Sequence, residues 1–275
     1  MSLDGPQIER GRPIALLDAL NHYIISLPSK LILLNWNVLD HELPAENERI
    51  LEHYLELNQL RSVKVRHNQW DPIGELKRLV RNEEVGAGYR YTLGVVTWLL
   101  YTLFPDRVFG GLPFIGGGDH FNPFSNTVNV YSSDVTILIH EGGHAKDYLT
   151  RDWRGTTFAL MRLLPGIDLI QEAKASGDAI RYLHCIRDQE NELRAYRTLI
   201  PAYSTYVGGY FQAPEVTLPI VALGHVSGRV QAWRRAQAMA SVGERPGDHV
   251  AGYHKEDFLP DWCVPLDGAE SRWSD

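Results

Sequence analysis

One stretch constrains this chain more than any other: His140-Glu141-Gly142-Gly143-His144, two histidines separated by a glutamate and two glycines. It closes an apolar run of Val135, Ile137, Leu138 and Ile139 that Asp134 or Ser133 can cap, so the segment predicts a buried helix. Each residue turns a helix by roughly 100°, which leaves residues four apart about 40° apart around its axis. Both imidazoles can then meet on one Zn²⁺, while Glu141 leans over the same point to act on water. Gly142 and Gly143 speak against a merely structural helix, because each costs about 1 kcal/mol relative to alanine. A bare backbone there lets a neighbouring strand or a substrate approach closely. The bland alternative is a buried helix whose histidines hydrogen-bond to core carbonyls.

Two histidines leave zinc short of the three protein ligands of a catalytic site, which holds water as the fourth. The best candidate for the third is Glu172, 28 residues beyond His144. Ala175, Ser176 and Ala179 follow it on one helical face, which can therefore pack against the glycines of the metal helix. Glu192 and Glu190 come next, and His184 reads more simply as structural. Asp147 lies three residues past His144 and seven past His140, so it is an alternative ligand. Asp147 and Asp178 are also carboxylates that could fix an imidazole tautomer. A donor to the developing oxyanion is expected downstream, with Tyr203, Tyr206, Tyr196, Arg194 and His225 as candidates.

With 275 residues the chain can bury a full core, as one catalytic domain or as two closely joined lobes, about 1–150 and 151–275. A net charge of −7 argues against nucleic acid as the main partner. Cys185 and Cys263 have no CxxC spacing and read as free thiols in a reducing compartment, with a single disulfide as the alternative. The polar start of the chain is unlike a secretory signal peptide, and no stretch offers ~20 uninterrupted apolar residues. A cytoplasmic location is the expectation. The apolar stretches 93–104 and 199–223 read as core, with a shallow membrane contact the alternative for the second.

Elsewhere, 13–39 reads as a helix followed by an apolar stretch, 44–60 as an amphipathic helix, and 62–67 as a half-buried strand. Asp71-Pro72 opens a helix, and 89–104 reads as a buried one. Gly110 to Gly118 lacks the G-K-[S/T] ending of a phosphate loop and reads as a rim of the site. A strand over 127–132 leads into the metal helix and could form a cleft edge to which an extended substrate adds. One long helix over 167–196 and another over 217–239 follow, and then a surface tail over 243–275.

These stretches together resemble the glutamate-type zinc peptidases (gluzincins), in which HExxH on one helix is completed by a glutamate on a later one. Four blocks look more closely like a family of largely uncharacterised bacterial proteins: 119–132, the His-Glu-Gly-Gly-His-Ala-Lys-Asp segment, 171–183 and 196–210. That similarity spans roughly residues 62 to 230. The resemblance implies an α+β, mainly helical, zincin-like metallopeptidase fold with a small mixed sheet beside the HExxH helix. It also implies Zn²⁺ on His140, His144 and Glu172, Glu141 as the base, and a peptide or protein substrate. Gluzincins usually carry Glu-x-x-x-Asp, which would put aspartate at 176; this chain has Ser176 there. The rival expectations are a zinc-stabilised binding or scaffold protein without turnover and another zinc-dependent amide hydrolase.

Overall fold

Short segments far apart in sequence pair into one sheet. In the computed structural model, which describes residues 5–42, 44–103, 106–109, 118–151, 156, 158, 164 and 166–241, four strands form one mixed sheet. They are β1 (Ile8–Arg10), β2 (Lys64–His67), β3 (His120–Asn122) and β4 (Thr127–Val130), in the order β1-β2-β4-β3. β1 and β4 run parallel to β2, and β3 closes antiparallel onto β4 with Phe121 opposite Val128. Two expectations are corrected here. β4 is an interior strand and β3 is the edge, so no substrate can add to β4 itself. β2 is buried on both faces, not half-buried. Two of its polar residues are covered by ion pairs: Lys64 with Glu9 at 2.5 Å, and Arg66 with Glu9 at 2.9 Å, Asp71 at 3.0 Å and Glu75 at 2.7 Å.

Most of the described chain is helical, and the architecture is α+β. The N-terminal helices are α1 (Ala15–Leu20), which continues as a π turn over Asn21–Ile25, and α2 (Leu27–Leu33). Next come α3 (Ala45–Leu57) and α4 (Pro72–Arg81). Asp71 caps α4 by accepting from Gly74 N at 2.9 Å, and Pro72 fits the first turn, which needs no N–H donor. The helix expected over 89–104 is present as a continuous run of α and π turns over 87–103, but it is not buried. Leu93, Gly94, Val95, Trp98 and Thr102 pack inward, whereas Tyr91 and Leu100 are 50% and 51% exposed. The apolar run there is wider than the core it meets.

The helix that carries His140, Glu141 and His144 is α5 (Val135–Thr150), followed by α6 (Ile167–Cys185), α7 (Gln189–Gly209) and α8 (Pro214–Ser241). The single helix expected over 167–196 is broken into α6 and α7. Arg187 takes a left-handed φ of 56°, and Asp188 starts α7 by accepting from Asn191 N at 3.1 Å. The main core joins Ile50, Leu51 and Tyr54 of α3, Val65 and Val128 of the sheet, Leu138 and Ile139 of α5, and Leu183 of α6. Cys185 is disulfide-bonded, which overturns the free-thiol expectation. Among the described residues no helix is long and apolar enough to cross a membrane, and the stretch 199–223 is divided between α7 and α8. The glycine-rich rim over 110–117 and the tail over 243–275 lie outside the described residues.

Candidate metal centre

α5 starts where its sequence asks it to. Asp134 Oδ1 accepts from Thr136 N at 2.9 Å. Its other oxygen takes Asn35 Nδ2, just past α2, at 2.5 Å and lies 3.4 Å from Thr198 Oγ1 of α7. Val135, Leu138 and Ile139 then bury one face against the core. The glycines are explained by contact. A Cβ on Gly142 would stand 2.6 Å from Tyr54 Cε1, and one on Gly143 would stand 3.0 Å from Ala175 Cα and 3.1 Å from its carbonyl oxygen. Gly143 therefore admits the backbone of α6, and Glu172 sits one turn before that contact, facing both histidines. The neighbours are thus a tyrosine ring and a helix, not the strand that the glycines led one to expect.

Gly142→Ala follows as a test of this packing. Alanine returns about 1 kcal/mol of helix propensity, but displacing the fully buried Tyr54 ring costs about 1–3 kcal/mol, and the Tyr54 O–H bond to Asp178 at 2.5 Å is put at risk. The expected result is net destabilisation by about 1–2 kcal/mol, read from the urea midpoint. A stabilised variant would show that the close approach is not tight.

The histidines and Glu172 converge. His140 Nε2 is 3.1 Å from Glu172 Oε2, and His144 Nε2 is 3.4 Å from Oε1. The two imidazoles stand edge to face, 4.7 Å between centroids. Burial alone would raise the Glu172 carboxyl; the imidazoles of His144 and His140 outweigh it and hold it well below the usual carboxylate range. Three buried ligand atoms, one from each residue, lie within 4.8 Å of one another, the one such His/Cys/Asp/Glu group among the described residues. Ser176, one turn past Glu172, places Oγ 3.2 Å from His140 Nδ1. The serine thus occupies the position that the gluzincin spacing gives to aspartate. His144 Nδ1 is buried and has no hydrogen-bond partner among the described residues.

A cavity of about 160 Å³ opens on this cluster. Glu141 lines it beside His140 and Glu172, with Leu33, Val38, Leu39, Ile137 and Leu199 as apolar wall, and Tyr203 and Tyr206 on the α7 side. No family model, curated protein or solved structure matches the chain. The centre is therefore read from its own chemistry.

Several candidates fall elsewhere. Asp147 pairs with Arg151 at 2.5 Å and Lys174 at 3.4 Å, because seven residues of rise carry it about 10 Å along α5 from His140. Asp178 accepts from Tyr54 and from Lys146 Nζ, each at 2.5 Å, and touches neither imidazole. Glu192 pairs with Arg235 at 2.7 Å and His184 at 3.3 Å, and Glu190 with Arg194 at 3.1 Å. His225 faces Ile32 O at 2.7 Å and Arg229 at 2.8 Å, away from the cavity. Tyr196 packs with Leu193, Ala232 and Met239.

Asp119, just before β3, is the cavity residue that sequence reasoning missed. Its Oδ1 accepts from Tyr131 N at 2.6 Å and Ser132 N at 3.0 Å, and Oδ2 accepts from Ser132 Oγ. Burial pushes its carboxyl up to about 6, and the charge of Glu141 adds to that shift. No spacing rule ties residue 119 to a helix that starts at 135.

Proposed function

We propose that this protein is a zinc-dependent hydrolase of zincin-like fold that cleaves peptide bonds. One observation carries the reading: two imidazole nitrogens and a carboxylate converge where a further glutamate, Glu141, faces the same cavity. Imidazole and carboxylate donors suit zinc, and tetrahedral bonds of about 2.0–2.1 Å would separate two ligands by about 3.3 Å. His140 and His144 reach the two different oxygens of Glu172 at 3.1 and 3.4 Å, close to that length, and one donor atom from each residue lies within 4.8 Å of the others. His140, His144 and Glu172 would hold the ion. The bound ion supplies Lewis-acid polarisation of the scissile carbonyl and acidifies water.

The remaining work falls to side chains. Glu141 accepts a proton from the attacking water on its carboxylate and passes it to the leaving amine. Tyr203 or Tyr206 offers a hydroxyl to the carbonyl oxygen as negative charge develops there. Ser176 orients His140 through Nδ1. The apolar wall excludes bulk water and strengthens each of these interactions.

Metal analysis tests the reading directly. One zinc per chain is expected, with peptide hydrolysis absent after chelation and restored by Zn²⁺ alone. Zinc at 100 times its Kd should also stabilise the fold by about 2.7 kcal/mol. Protein that binds no zinc, or that hydrolyses peptides equally well without it, rules the proposal out.

A further inference from the structure

We infer that Asp119 receives the free α-amino group of the substrate, so that the residue before the scissile bond is the first of its chain. This rests on the hydrolase reading of the same cavity and names its substrate class: peptides with an unblocked N-terminus and an apolar first residue.

Three carboxylates line the cavity: Glu172, which sits between the histidines, Glu141, which faces the reaction, and Asp119. Asp119 is fixed by three donors from Tyr131 and Ser132, all neutral, and no cation lies within ion-pair distance of it among the described residues. Lys30 acts on it only through the field, since its Nζ is directed to His22 Nδ1 at 2.9 Å and Leu39 O at 3.4 Å. A carboxylate facing a largely apolar cavity without a counter-cation is costly, and an ammonium entering that cavity removes the cost.

The dimensions select the α-amine. Backbone geometry puts the α-nitrogen about 2.5 Å from the carbonyl carbon of its own residue. An ammonium site must then adjoin the base, and Asp119 and Glu141 are close enough for one charge to shift the other. The 160 Å³ cavity has room for a single side chain, near the size that encloses one benzene-sized group. Leu33, Val38, Leu39, Ile137 and Leu199 make that room apolar.

The test compares zinc-loaded protein on three peptides alike beyond the first residue: Leu-peptide, N-acetyl-Leu-peptide and N-acetyl-Lys-peptide. Calorimetry with leucinol and N-acetyl-leucinol reads the same preference without turnover. Wild type should favour the free amine by about 10- to 100-fold in both assays, the worth of one charge-assisted hydrogen bond. Asp119→Asn should erase that preference with zinc content unchanged. Equal binding of the two leucinols, or binding of neither, overturns the inference, and so does preferred cleavage of N-acetyl-Lys-peptide. The wild-type comparison stands even where the variant does not fold. Amine-selective binding without any cleavage would leave the inference standing and count against the hydrolase reading.

Discussion

Glu141→Gln should keep its zinc and lose its catalysis, with kcat falling by about 10²- to 10⁴-fold, the usual contribution of a positioned acid–base group. Glutamine matches glutamate in shape but cannot take a proton from water. Glu141 stands beside the His140–His144–Glu172 cluster and outside it, so the ligand set is untouched by the change. Zinc per chain, measured by mass spectrometry, should equal that of wild type, and KM should change less than kcat. A variant as active as wild type would remove Glu141 from the mechanism and leave the metal centre standing.

Glu172→Ala should strike the metal centre itself. Loss of a partner that merely orients a ligand costs about 10- to 100-fold in metal affinity, and removal of a ligand should exceed that. The side chain is buried between two imidazoles, so the substitution also empties a site at the contact of α5 with α6. Breaking such a buried pair costs about 3–5 kcal/mol. Competition with a chromophoric chelator gives the affinity, and thermal unfolding with and without zinc gives the coupling. Wild type should gain stability from zinc and the variant should not. Unchanged zinc affinity would mean that the third ligand lies elsewhere.

Helical spacing carried much of this centre into view. A spacing of four between the histidines, a cap at Asp134 and small residues after Glu172 all translate into faces and contacts, because periodicity fixes an angle around an axis. The same rule failed for Asp147. Its angle was reasonable, but Arg151 and Lys174 compete for it, as Lys146 does for Asp178, and spacing says nothing about competing charges. The break between α6 and α7 was hidden because a non-glycine residue, Arg187, adopts the left-handed turn. β4 looked like an edge because its pairing with β3 on one side and β2 on the other cannot be read from alternation. Asp119 was illegible for a related reason: Tyr131 and Ser132 hold it across a hairpin.

The cap of α5 has a mechanical consequence. The carboxylate of Asp134 touches Asn35, just past α2, and Thr198 on α7, while Asn35 Nδ2 and Thr198 Oγ1 are themselves 3.2 Å apart. Leu33 of α2 and Leu199 of α7 form flanks of the cavity. Spreading those flanks would uncap the helix that carries both imidazoles, so the chamber behaves as a fixed gauge whose bore is tied to the integrity of its floor.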